Sequence, residues 1–240
     1  VIEYNEIHSA VFQSNDAGAI YTSPPDETWS MRGHRIRYNY LHHIHGFRGK
    51  GCLGVYLDDC FSSADISCNV FYDVATAILI GGGRDNTMTN NMFINCDRAF
   101  SIDARGLGWA KGVGDSATKE LIALGYKQPP WSVRYPELLN ILEDEPLAPK
   151  GNVVARSICW GGKWGSTEPK AVPYVTFTDN LLDTDPHLKD IAHDRFELQD
   201  DSPAFKLGFR RIPFEKIGLY QSADRASWPV AHTVQSRPEL

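Results

Sequence analysis

Residues 68–96 read CNVFYDVATAILIGGGRDNTMTNNMFINC, and an asparagine followed by alternating apolar residues stands in them twice, at Asn69 and Asn91. The 22-residue step between the two is about the length of one coil of a parallel β-helix. The same register recurs outward at Asn5 (YNEIHSA), Asn39 (YNYLHHIHG), Asn152 (GNVVARSIC) and Asn180 (DNLLD). Steps of 34, 30, 61 and 28 residues then read as the same coil carrying inserted loops. A column of asparagines has a physical reason, because each side-chain amide can satisfy turn backbone groups and bond the amide one coil away. An antiparallel sandwich needs no identical turn residue at each period. The pattern predicts an all-β parallel β-helix, a solenoid.

A second strand of each coil aligns as AIYTS, GVYLDD, AILIGG and AFSIDAR. Period-2 alternation turns Ile20 and Thr22, Val55 and Leu57, Ile78 and Ile80, and Phe100 and Ile102 into the core. Tyr21, Tyr56, Leu79 and Ser101 face outward, followed one alternation later by Ser23, Asp58, Gly81 and Asp103. Asp59 begins the turn. Asp58 and Asp103 therefore share a column two coils apart, which sets their carboxylates on the order of 5–9 Å from each other. That range spans both the retaining and the inverting separations of glycosidases. Gly81 and Gly82 between them read as an open floor for a sugar ring, although strand-end aspartates and a tight glycine turn account for the same residues.

The surroundings extend this candidate site. Asp16 lies on the loop one coil before, and Tyr21 stacked on Tyr56 offers exposed aromatic surface of the kind sugars use. Arg105 and Trp109, which follow Asp103, supply a cation and a platform at the cleft edge. Arg84 and Asp85 read as a surface ion pair. Strand alternation puts only His43 and His45 of His42, His43 and His45 on one face, where they suit a cleft better than a metal; no metal and no cofactor are expected.

Composition sets the frame. The 240 residues, 42% hydrophobic and 22% charged, suffice for one domain over 1–240. A formal net charge of −6 gives no electrostatic footprint for nucleic acid or an anionic membrane, so neither is expected as a partner. The five cysteines are scattered and read as free thiols. Residues 104–150 interrupt the repeat with two helical stretches, SATKELIALGY and YPELLNILEDEP, with Ser116 as N-cap and Gly125 as stop, expected to cover one flank of the cleft. Residues 200–240 lose the register and read as a C-terminal cap. Val1 enters directly into a repeat. The chain is therefore expected to be the C-terminal part of a longer β-helix, its open end covered by preceding coils of the same protein or by self-association.

Taken together, NDAGAIYT, GVYLDD, AILIGGGRDN, IDARGLGW, SPAFKLGF and IPFEKIGLY resemble the right-handed parallel β-helix proteins of carbohydrate metabolism, glycoside hydrolase family 141 in particular. The resemblance implies α-L-fucosidase or xylanase activity on plant cell-wall polysaccharides and a secreted or periplasmic location. It also implies a catalytic pair of aspartates, matched here by Asp58 or Asp59 and Asp103, with Asp16 a third candidate. Repulsion between adjacent Asp58 and Asp59 would then help hold one proton near neutral pH. Two alternatives stand beside this. A polysaccharide lyase would use Lys50 and Arg105 to neutralise a uronate, and a non-catalytic binding module would keep the tyrosines and Trp109.

Overall fold

A computed structural model describes residues 1–23, 27–47, 51–193, 195–224, 228 and 232–235. Strands recur in threes: β1 (Ile2–Glu3), β2 (Glu6–His8) and β3 (Ala17–Thr22); β4 (His34–Arg37), β5 (Tyr40–Ile44) and β6 (Cys52–Leu57). Next come β7 (Ala64–Ser67), β8 (Val70–Val74) and β9 (Thr76–Gly81), then β10 (Thr87–Thr89), β11 (Met92–Ile94) and β12 (Phe100–Asp103). β13 (Asn152–Ala155), β14 (Ile158–Trp160) and β15 (Ser166–Thr167) follow, with β16 (Val175–Thr178) and β17 (Leu181–Leu182) last. Each pairs in parallel with the strand three places along the chain, giving sheets of six, six and five strands. The chain is thus built mainly of strands in parallel sheets, with few helices.

The apolar ladder lies where alternation puts it. Ile20, Val55, Ile78 and Phe100 are lateral neighbours in the third sheet, and Leu57, Ile80 and Ile102 form the next buried row. Thr22, at the sheet edge, is only half-buried. These rows meet Ile36, Ile66 and Met88 of the first sheet and Leu41, Phe71 and Phe93 of the second in one core.

The asparagine column exists, with one correction. The side-chain oxygens of Asn39, Asn69 and Asn91 each accept both the backbone N–H and the amide of the preceding asparagine, at 3.0–3.1 Å. The next position belongs to Ser157, whose hydroxyl accepts the Asn91 N–H at 3.2 Å, and Asn180 follows. Asn152 instead continues a second column with Asn86, which the sequence reading missed. The residue before each member of the first column, Tyr4, Tyr38, Cys68, Asn90, Arg156 and Asp179, has a left-handed backbone. Such a backbone is unfavourable for residues with a side chain, and the recurring amide bonds hold the bend that requires it.

Within residues 104–150, α1 spans Val113–Ala123 and α2 Trp131–Arg134, followed by a 3-10 helix over Pro136–Glu143. Ser116 is not the N-cap. It sits inside α1, where its hydroxyl donates to the Val113 carbonyl as mid-helix serines do. Gly125 ends the helix in the left-handed conformation as expected. These helices share a small core of their own with Trp29 from the loop after β3.

The C-terminal segment also departs from its expected place. After the antiparallel pair β18 (Leu188–Asp190) and β19 (Arg195–Leu198), the chain crosses the outer face of the second sheet back toward the first strands. Asn90 exchanges two hydrogen bonds with Arg210, and the Gly218 N–H donates to the Tyr4 carbonyl. The cause is the outward row Tyr40, Val70, Met92, Ile158 and Leu181, an apolar stripe along five of the six strands of the sheet, with Glu6 in its place on β2. It needs cover along its length, and Phe196, Leu198, Ala204, Phe209 and Ile212 supply it.

Candidate functional site

Asp58 directly follows β6, Gly81 ends β9 and Asp103 ends β12, and Gly81 pairs directly with Asp103. The two aspartates do share one column. The space between them, however, is filled. Arg105 donates Nη1 to the Asp58 carboxylate, and Nε and Nη2 to the Asp103 carboxylate at 3.1 and 2.7 Å. A Cβ built on Gly81 would stand 2.5 Å from the Arg105 Cζ, and one on Gly82 2.8 Å from its Cγ. The glycines make room for a guanidinium and not for a sugar ring. The guanidinium thus bridges the two carboxylates, so they do not face each other in uncompensated repulsion. Burial opposes the charge on Arg105. Its hydrogen bonds and attraction to Asp103, helped by Tyr56 and Asp58, nevertheless hold its pKa above the ordinary guanidinium value. Trp109 is 77% exposed, with its ring centroid 5.3 Å from the same guanidinium.

Asp59 turns away from Asp58. Its backbone is left-handed, its carboxylate accepts the Ser23 hydroxyl at 2.8 Å, and its N–H donates to the Asp58 Oδ1. The expected tyrosine stack is present, with centroids 4.8 Å apart and planes 27° from parallel. Tyr21 is 49% exposed but Tyr56 only 5%, so one aromatic and not two faces solvent. Tyr21 donates its hydroxyl to the Asp58 Oδ2 at 2.9 Å, and Tyr56 donates to the Asp16 Oδ1 at 3.2 Å. Burial, with Asp58 adding to it, pushes both phenols above their ordinary pKa, so both stay donors at neutral pH.

A cleft of about 750 Å³ does not open onto the Asp58–Asp103 pair. It lies beside it on the same sheet face, lined by Asp16, Tyr56, Asp97, Arg98, Lys163 and Trp164 among others. The tyrosine stack joins the two places. Of the expected site residues, Asp16 and Tyr56 line the cleft, while Asp58, Asp103, Arg105 and Trp109 form the neighbouring cluster. Asp97, Arg98, Lys163 and Trp164 were not anticipated. Arg98 lies two residues before Phe100 of the aligned ladder, and Lys163 stands opposite it only once Ser166 is matched with Ser101, across the long insertion.

Other expected features resolve as structural. Arg84 is buried and donates to the carboxylate and carbonyl of Asp144, while Asp85 pairs with Arg32 at 2.9 Å. Arg84 and Asp85 do pair, Nε to Oδ2 at 3.4 Å, but inside a network that ties the insertion to the sheets and keeps Arg84 buried, not on the surface. His42 contacts Glu6 at 3.2 Å and His45 contacts Asp73 at 3.1 Å; both rings are buried, and none of His42, His43 and His45 lines the cleft. Among the described residues no group of three or more His, Cys, Asp or Glu is placed to hold a metal, and no helix is long and apolar enough to cross a membrane. Lys50 lies outside the described residues. The cysteines are unpaired, and burial pushes Cys60, which touches the space beside Arg105, up to about 12. No family model, curated protein or solved structure matches this chain.

Proposed function

We propose that the chain is a right-handed parallel β-helix that binds an oligosaccharide along the outer face of its third sheet and hydrolyses a glycosidic bond there. The parallel pairing among β1 to β17 of strands three places apart, and the asparagine column, support the solenoid. The observation that carries the function is the tyrosine stack, which links a cleft carboxylate, Asp16, to a fixed carboxylate, Asp58. A glycan that leaves the cleft past the half-exposed Tyr21 would meet Asp58, held by Tyr21 and Arg105, as the nucleophile or the base that activates water. Asp16, exposed at the cleft, is placed to deliver the proton to the leaving oxygen. Asp103 is a positioning residue that anchors Arg105. This reading keeps Asp58 of the pair that the resemblance to glycoside hydrolase family 141 implies, puts the third candidate Asp16 in place of Asp103, and retains the implied secreted or periplasmic protein acting on plant cell-wall glycans.

The test is release of reducing sugar from xylan and fucosylated oligosaccharides, together with chromogenic fucosides and xylosides. Asp58→Asn and Asp16→Asn should each lower kcat by about 10²–10⁴, and full activity in either variant would remove that residue from the chemistry. A second reading, binding without turnover, is favoured by the guanidinium between Asp58 and Asp103. Calorimetric binding of the same oligosaccharides with no product formed would establish it.

A further inference from the structure

Arg98 and Lys163 lie just before β12 and β15, where the register of those two strands, extended backwards, sets them side by side. The Ala77 N–H donates to the Arg98 carbonyl and the Ala99 N–H to the Lys163 carbonyl, which continues the register of β9, β12 and β15 into the cleft. Lateral neighbours in a sheet are ~4.8 Å apart at the backbone, and like charges placed so are destabilising. Both side chains are exposed, and neither enters an ion pair with a described residue. The other charged groups of the cleft are Asp16, engaged by the Tyr56 hydroxyl, and Asp97. Trp164, next to Lys163, is held edge-on by Phe100 with centroids 4.8 Å apart and lines the same cleft.

We infer that this end of the cleft binds an anionic sugar unit, its carboxylate or sulfate received by Arg98 and Lys163 and its ring placed beside Trp164. A guanidinium donates two parallel N–H bonds to two oxygens of one such group, and the ammonium adds a point charge beside it. Asp16 and Asp97 line the same cleft, so an acidic unit is received at the Arg98–Lys163–Trp164 end and not along its whole length. The inference rests on the carbohydrate reading above and narrows its substrate from glycans in general to acidic ones.

Calorimetry on the full chain, with tetragalacturonate, a sulfated carrageenan tetrasaccharide and neutral xylotetraose as probes, separates the outcomes. One or both acidic probes should bind about tenfold or more tightly than xylotetraose at low salt, as one charge-assisted contact supplies, and the advantage should shrink as salt rises. Which acidic probe is preferred distinguishes carboxylate from sulfate. In Arg98→Ala/Lys163→Ala the preference should vanish while xylotetraose binding stays and the melting temperature is unchanged or higher, since a like-charge contact is gone. Equal binding of acidic and neutral probes, or a preference that survives in the double variant, overturns this inference alone. Failure of every oligosaccharide to bind overturns it together with the carbohydrate reading.

Discussion

Replacing Arg105 with alanine would leave two carboxylates facing each other across an empty slot. The Asp103 side chain is 28% exposed and the Asp58 side chain 12%, so water reaches the first more readily than the second. Breaking a buried ion pair by removing one partner costs about 3–5 kcal/mol, and partial access of water to Asp103 places this case at about 3 kcal/mol. With a urea slope of about 3 kcal/mol per molar for a chain of this size, the unfolding midpoint should fall by about 1 M. Arg105→Lys should recover only part, because an ammonium lacks the fork that meets both aspartates at once. Asp58→Asn leaves Arg105 paired with Asp103 and should cost about 1 kcal/mol. Fluorescence-monitored urea unfolding ranks the three variants. A loss under about 0.5 kcal/mol for Arg105→Ala, the value of an exposed pair, would refute the claim that this guanidinium holds the cluster together.

Three other perturbations check separate parts of the fold. Gly81→Ala places a methyl 2.5 Å from the Arg105 Cζ, so it should expel the guanidinium and lower the urea midpoint nearly as far as Arg105→Ala. Asn69→Ala strips hydrogen bonds from the Asn39 N–H and the Ile36 carbonyl in a fully buried position, and should destabilise by about 2–4 kcal/mol in the same assay. Burial, with His42 and His232 nearby, lowers the pKa of His8; the unfolded ring binds a proton more readily, so stability is lost as pH falls below the unfolded value of about 6.5. The melting temperature should therefore drop more between pH 7.5 and 5.5 in the parent chain than in His8→Phe.

The strand ladder was legible because burial on one face of a strand leaves a period-2 mark that inserted loops do not erase. Ile20, Val55, Ile78 and Phe100 could be stacked by eye, and the structure pairs them in that order. The asparagine column was legible only where the residue type held. Ser157 satisfies the same backbone N–H with a hydroxyl, so the pattern passed over it and took Asn152, from the other corner, in its place. The path of the C-terminal segment was hidden for a different reason. Its apolar residues show that it covers something, but the stripe it covers, Tyr40 to Leu181, becomes continuous only when strands far apart in sequence are laid side by side.

The site was half legible, and Gly81 explains which half. A glycine in a strand column signals that something approaches the backbone closely, and two flanking aspartates signal that it is polar or positively charged. The sequence reading instead took the glycines as an open floor or a tight turn, and the structure puts Arg105 against them. A sugar hydroxyl and a guanidinium satisfy both signals equally well, and the sequence reading placed Arg105 at the cleft edge because it follows Asp103 by only two residues. The chain makes that short return because the Arg105 N–H donates to the Asp103 Oδ1 and a 3-10 turn begins at Arg105, which folds the side chain back over the strand it has just left. The charge that Asp58 and Asp103 required was thus supplied from within the chain. Arg98 and Lys163, by contrast, enter no ion pair with a described residue and stay exposed in an open cleft, where a charge from outside the chain can still reach them.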